Sequence, residues 1–359
     1  MSGFHSGPTA VFELDFNNRI IIIGAGAVGF ATARALLRAG FDVTVLERGE
    51  VGQEASWAGG GIMSPLCPWD YPDEVTRLAL RGMERYAAFA DELHATTGVD
   101  VEYLRSGMRV LPPFDMAHAV AWCDGHGVRY EVQGDALLLP EIAQVRNPCL
   151  LRALRERVTQ LGGHIIEHCE VLDFATQAGR VARVRTSQGE MSADAFVLTA
   201  GAWNKELLGE QARQLELKPI RGQMLLFKFE APPIEHILLQ RDLYLIPRRD
   251  GHLLVGSTLE DVGFDKSTTA EAREALLSRA IQLVPALRDM PLVRHWAGLR
   301  PGSPGNVPTI DRHPELENLY LNGGHFRYGV TMAPACAEIL LNVMTGAAQP
   351  IDVSPYRWR

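Results

Sequence analysis

Three glycines in the run Gly24-Ala25-Gly26-Ala27-Val28-Gly29 have the spacing that holding a pyrophosphate demands. Gly24 permits a tight turn, Gly26 lets backbone approach the phosphates, and Gly29 lets a helix pack closely on a strand. The helix N-terminus, with its unpaired N–H groups, then faces the phosphate charge. Glu47 follows at the distance, about twenty residues, where a carboxylate meets ribose hydroxyls and disfavours a 2′-phosphate. These residues point to a cofactor with an ADP half and leave NAD and FAD both open.

The elements that must position them are legible around the motif. Residues 19–23 (Arg-Ile-Ile-Ile-Ile) read as a buried strand, 30–39 as a helix ended by Gly40, and 41–46 as a second, parallel strand. Together they make a βαβ unit of about thirty residues. Residues 52–65 are rich in Gly, Ala and Ser, so they are expected to form no element of their own and to face the cofactor. Gly59, Gly60 and Gly61 within them imply close backbone approach to a flat ring or a phosphate. A long amphipathic helix is predicted over 73–97, with Leu78, Met83, Tyr86, Phe89, Ala90 and Leu93 on one face.

From 98 to 140 the pattern shifts to short strands near Tyr103, 108–111 and 137–139, with one helical piece at 116–125, as in part of a second domain. Helix 147–161 follows, stopped by Gly162 and Gly163. Strands at 164–166, 181–186 and 195–199 are expected to rejoin the first sheet, the last running into the small-residue turn at Gly201. Segments 221–229, 243–247 and 252–256 read as antiparallel strands of the second domain, and 270–283 as an amphipathic helix. A strand at 319–321 and a helix over 329–344 complete the pattern.

Composition narrows the function. A chain of 359 residues exceeds what one core usually supports, so two closely joined domains are expected. The balance of 35 Lys+Arg against 43 Asp+Glu, a net charge of −8, offers no basic field for nucleic acid. No apolar run approaches the roughly 20 residues that cross a bilayer. Residues 1–18 carry Glu13 and Asp15 and read as an N-terminal extension rather than a signal peptide. Five scattered cysteines, without a C-x-x-C pair, form neither a disulfide framework nor a zinc site; no metal is expected, and a reducing cytoplasm fits.

Beyond the glycine motif, five blocks carry a resemblance over about residues 19–353. They are Gly24 to Gly29 with Glu47, Glu54-Ala-Ser-Trp-Ala-Gly-Gly-Gly61, Leu198-Thr-Ala-Gly-Ala-Trp203, Trp296-Ala-Gly-Leu-Arg-Pro301 and Gly324-His-Phe-Arg-Tyr-Gly329. In them the chain resembles the D-amino-acid oxidase family of FAD enzymes, most closely the glycine oxidases of thiamine biosynthesis. The resemblance implies an α/β fold: an FAD-binding Rossmann-like domain of glutathione-reductase type with an interleaved antiparallel-sheet substrate domain. The expected FAD-binding domain takes 19–97, 141–220 and 298–353; the substrate domain takes 98–140 and 221–297.

Carried over by position, the resemblance places Ala27 and Val28 at the pyrophosphate, Glu47 and Arg48 at the adenosine, and Val171 at the adenine. Ala55, Ser56, Gly60, Gly61 and Ile62 run along the flavin side, with Gly201 in the turn beneath. His325, Phe326, Arg327, Tyr328, Gly329, Val330 and Thr331 pass the pyrimidine edge, where the helix from Gly329 would stabilise the charge of reduced flavin. Arg300 corresponds to the family arginine that grips an amino-acid carboxylate, Tyr244 to the tyrosine that joins it, and Arg327 to a position offering its backbone carbonyl to the substrate amine. The implied reaction passes hydride from Cα to flavin N5, the imine hydrolysing to an oxo acid and ammonia, and O₂ returning as H₂O₂. No histidine is assigned as general base, and His325 is expected to contact the cofactor structurally.

This chain departs from the family at Ile62, where methionine is common, at Tyr328, where asparagine is common, and at Asp242 and Leu259. A preference for glycine is therefore not implied; sarcosine and small D-amino acids stand beside it. No cysteine lies near Arg300, so FAD is expected to be non-covalent. A dehydrogenase passing electrons to a quinone or protein acceptor, and a non-catalytic flavin-binding module, remain alternatives, and a homo-oligomer is left open.

Overall fold

The computed structural model describes residues 18–358, so most of the extension expected at 1–18 lies outside the described residues. Strand Arg19–Ile23 is buried from Ile20 onward, as its unbroken isoleucine run requires of a strand covered on both faces. It pairs in parallel with Asp42–Leu46 on one side and Ala195–Leu198 on the other. Outward from these, Leu319–Gly323 and His164–Ile166 extend the parallel order, and Thr309–Arg312 closes one edge antiparallel. Helix Ala27–Arg38 buries Phe30, Ala31, Ala33 and Leu36, and helices Asn147–Gln160 and Gly329–Thr345 pack on it.

The second sheet has eight strands, in the order Leu292–Gly302, Lys218–Lys228, His252–Gly256, Leu243–Pro247, Ile237–Gln240, Met108–Leu111, Ala136–Leu139, Glu131–Gln133. All neighbours run antiparallel except Ile237–Gln240 beside Met108–Leu111. Period-two alternation gives it two apolar faces. Leu225, Leu243, Leu245, Leu253 and Val255 pack under helix Ala270–Leu283, whereas Met224, Tyr244, Ile246 and Leu254 face the other way.

Helices Asp73–Thr97 and Ala270–Leu283 form where the periodicity places them. Three local expectations need correction. Strand Arg180–Thr186 does not rejoin the first sheet; it is the centre of an antiparallel meander with Val171–Gln177 and Gly189–Met191, because the turn at Gly179 folds it straight back. The segment 52–65 does form elements, a helical turn Ala55–Ala58 and a strand Ile62–Met63 held against Ala143–Gln144. Near Tyr103 there is only an isolated bridge, Leu104 with Gln144. The boundaries expected at 220/221 and 297/298 fall inside strands Lys218–Lys228 and Leu292–Gly302, whose pairing runs from Lys218 opposite Gly302 to Phe227 opposite Leu292.

Candidate functional site

A cleft of about 360 Å³ opens at the carboxyl ends of the parallel strands, the place where ligands bind open α/β sheets. Gly24, at φ 109°, makes the first turn; a Cβ there would stand 2.6 Å from the Thr199 carbonyl oxygen. At Gly29 a Cβ would strike the Gly24 carbonyl and the Thr199 hydroxyl, so this crossing of helix and strand admits only glycine. Gly24, Gly26 and Val28 line the cleft, while Ala27 and Gly29 stand just behind. The Ala27 N–H donates to Ser56 Oγ at 2.9 Å, which ties the 52–65 segment to the start of the helix.

At one end of the cleft, Glu47 accepts from the N–H groups of Ala25 (3.0 Å) and Gly49 (3.1 Å). Arg48 lies over the Trp203 ring, 3.6 Å from its centroid, and pairs with Glu54 at 2.9 Å. Glu47, Arg48, Val171 and Gly201 all line the cleft, as do Ala55 and Ser56. At the opposite end come His325, Phe326, Arg327, Gly329 and Val330. The N–H of Phe326 donates to the Pro301 carbonyl at 3.0 Å, joining this loop to the strand that carries Arg300. His325 is 3% exposed and its Nε2 has no partner; burial pulls its pKa down to about 4, so the imidazole is neutral.

Six expected residues, Gly60, Gly61, Ile62, Tyr244, Tyr328 and Thr331, form the walls rather than the lining. Gly60 packs against Ile246 and the Tyr244 ring, and a Cβ at Gly61, at φ 72°, would meet the Val145 carbonyl. Ile62 offers its carbonyl to the Thr331 hydroxyl at 3.1 Å. Tyr328 is buried in the core edge-on to Tyr71, with 5.1 Å between ring centroids.

Arg300 reaches the cleft from the outermost strand of the second sheet. Its guanidinium lies flat across the neighbouring strand in the space a Gly222 side chain would fill. Nη2 donates to Ser257 Oγ at 2.7 Å and Nη1 to the Thr258 carbonyl at 3.3 Å. Among the described residues no carboxylate lies within 4.0 Å of it. Burial lowers its pKa from the ordinary value, with Tyr244 the largest opposing influence. Tyr244, 6% exposed, stands opposite Gly256, where Met224 fills the space a side chain would take, and its hydroxyl donates to Met224 Sδ at 3.2 Å. Arg327 likewise has no ion-pair partner among the described residues and separates this cleft from a second, open chamber rimmed by Asp70, Asp115 and Asp242.

The sequence reading missed the residues that brace these groups. Gly222 and Gly256 are lone glycines inside strand patterns, the usual mark of close approach, and could have been found so. Asn147 Nδ2 holds the carbonyls of Ser56 (2.6 Å) and Gly59 (3.0 Å), and Arg248 holds that of Gly60. Neither carries a signal in its own sequence neighbourhood.

Unpaired donors indicate what the cleft takes. Among the described residues no acceptor lies within reach of the N–H groups of Gly26, Val28 and Gly29 at one helix start, or of Gly329, Val330 and Thr331 at the other. Two helix N-termini therefore converge on one cleft, one suited to a diphosphate and one to a group that becomes anionic. FAD fits both demands at once. No group of three or more His, Cys, Asp and Glu arranged to hold a metal occurs among the described residues, and none of their helices is long and apolar enough to cross a membrane.

Comparison with known proteins agrees. The DAO family, described as FAD dependent oxidoreductase, matches residues 19–342. The chain is 42% identical over 358 residues to a glycine oxidase of Pseudomonas aeruginosa, covering 95% of this chain and 98% of that one. A glycine oxidase of Pseudomonas putida is 40% identical over 362 residues, with coverage of 95% and 98%. In fold it is similar to the crystal structure of glycine oxidase from Geobacillus kaustophilus, with a TM-score of 0.90 at 24% identity, covering 96% of this chain and 99% of that one. Glycine pattern, converging helix starts and family match lead to one assignment: the chain belongs to the DAO family of FAD-dependent oxidoreductases.

Proposed function

We propose that the protein oxidises a small amino acid, glycine, sarcosine or a small D-amino acid, to an imine that water hydrolyses to the oxo acid and the free amine (ammonia from a primary amine, methylamine from sarcosine), with O₂ reduced to hydrogen peroxide. The observation that carries this is Arg300: a cation at the cleft, braced by Ser257 and Thr258 yet without a carboxylate of its own. Two of its five N–H groups are used in that bracing, which leaves a fork for a substrate carboxylate. The relatives named glycine oxidase support an amino acid as the owner of that carboxylate.

FAD, when bound, would supply the acceptor for the two electrons of the Cα–H bond, with O₂ their final destination. The chain supplies orientation. Arg300, joined by the Tyr244 hydroxyl, fixes the carboxylate; the carbonyl of Arg327 receives the substrate amine, which must be neutral to donate its electrons. Gly60, Met224, Tyr244 and Ile246 close the wall behind and keep it dry. Neutral His325 packs at the cleft without moving a proton. FAD-loaded protein should release peroxide with at least one of glycine, sarcosine, D-proline and D-alanine. Turnover of none of the four would overturn the proposal.

A further inference from the structure

Arg248 is a cation buried deeper than any function so far described explains. It follows strand Leu243–Pro247, is 4% exposed, and makes three hydrogen bonds, all to neutral oxygens: Gln144 Oε1 (2.7 Å), the Val145 carbonyl (2.8 Å) and the Gly60 carbonyl (2.7 Å). The nearest acids, Glu102 and Asp250, are each taken by Arg146 at 2.9 Å. Isolated buried charge is costly, so a cation kept here without an anion needs a reason. Its contact with Gly60 supplies one. A trans peptide is planar, with C=O and N–H pointing oppositely; anchoring the Gly60 carbonyl on Arg248 aims the Gly61 N–H the other way. Asn147 does the same to the preceding peptide by holding the Gly59 carbonyl, which aims the Gly60 N–H. Gly60 and Gly61 are both buried, and neither N–H finds an acceptor among the described residues. Buried donors of this kind await a ligand.

We propose that Arg248 is a positioning residue for the flavin: through the Gly60 carbonyl it fixes the Gly61 N–H toward the ring, beside the Gly60 N–H that Asn147 aims, and lends it its charge, favouring the reduced, more negative cofactor. The charge is transmitted through an aligned peptide dipole in a low-dielectric setting, where such alignments strengthen one another. Arg248 itself touches neither substrate nor the reacting atoms. The same carbonyl anchor explains why two adjacent glycines are needed at 60 and 61, where side chains would collide with Ile246 and with Val145.

The test equilibrates FAD-loaded protein with a reference redox dye and reads the ratio of reduced to oxidised flavin spectrally. Gln144→Glu sets a carboxylate on Arg248 with little change of shape, and Arg248→Gln removes the charge. Both should lower the ratio at least tenfold against the unmutated protein, about 30 mV for a two-electron couple. Arg248→Lys keeps the charge and should stay within threefold. A ratio unchanged within twofold in Gln144→Glu would overturn the proposal, as would Arg248→Lys falling as far as Arg248→Gln. If Arg248→Gln does not fold, Gln144→Glu decides alone. A flavin spectrum in the unmutated protein separates failure of this proposal from failure of the cofactor assignment.

Discussion

Replacing Gly222 with alanine would test the substrate clamp without substituting any residue in it. Gly222 lies within strand Lys218–Lys228 outside the left-handed region, so alanine suits its backbone, and glycine-to-alanine changes of that kind cost little or stabilise slightly. The added methyl would fall on the Arg300 guanidinium, meeting Cζ, Nη1 and Nη2 together. The guanidinium must then leave its bracing by Ser257 and Thr258 and lose its aim at the cleft. A charge-assisted hydrogen bond is worth about 1.5–3 kcal/mol, so kcat/KM should fall about 10- to 150-fold for a carboxylate-bearing substrate. FAD affinity and melting temperature should stay close to those of the unmutated protein. The assay is steady-state peroxide release beside an FAD titration. In a double-mutant cycle, Gly222→Ala should cost almost nothing once Arg300 is already alanine, because both changes remove one interaction. Fully additive effects, or a kcat/KM within threefold in Gly222→Ala, would refute the reasoning.

Other consequences follow from the same geometry. Arg300→Ala should raise KM by at least tenfold while FAD stays bound; steady-state kinetics on flavin-loaded protein checks it. Gly29→Ala sets a methyl against the Gly24 carbonyl and the Thr199 hydroxyl, so FAD affinity measured by fluorescence titration should weaken at least tenfold. His325 is held near pKa 4 against 6.5 in the unfolded chain, so its contribution is whole above pH 6.5 and lost as pH falls toward 4. On FAD-free protein this amounts to roughly 3 kcal/mol at about 1.4 kcal/mol per unit, and His325→Gln should flatten that part of the profile in denaturant titrations. Finally, FAD at about 100 times Kd should add about 2.7 kcal/mol of stability, seen as a melting temperature that climbs with the logarithm of FAD concentration.

Much of the site was readable because its chemistry is local in sequence. Gly24, Gly26, Gly29 and Glu47 sit within one βαβ unit whose geometry the spacing fixes, and helix Gly329–Thr345 announces its start by a glycine after an aromatic run. Arg300 and Tyr244 were reached only through the family resemblance, since an arginine before a proline and a tyrosine among leucines look like ordinary strand residues. What could not be read is the bracing. Asn147 and Arg248 act through backbone carbonyls up to 188 residues away and Gln144 through the Arg248 side chain, and no periodicity records such contacts. Strand Arg180–Thr186 was misplaced for a related reason: its apolar pattern fits either sheet, and only the hairpin turn at Gly179 decides.

The strand order of the first sheet has a consequence for how the protein is made. Strand Arg19–Ile23 is made first of its sheet, but its neighbour Ala195–Leu198 comes about 170 residues later, and Leu319–Gly323 later still. Contacts so distant along the chain make for slow assembly, exposed to wrong pairings meanwhile. The nascent chain can display its glycine turn long before the helix from Gly329 exists to close the far end. Any flavin captured during synthesis would be held by half a pocket, and secure loading has to wait until the helix from Gly329 has been made.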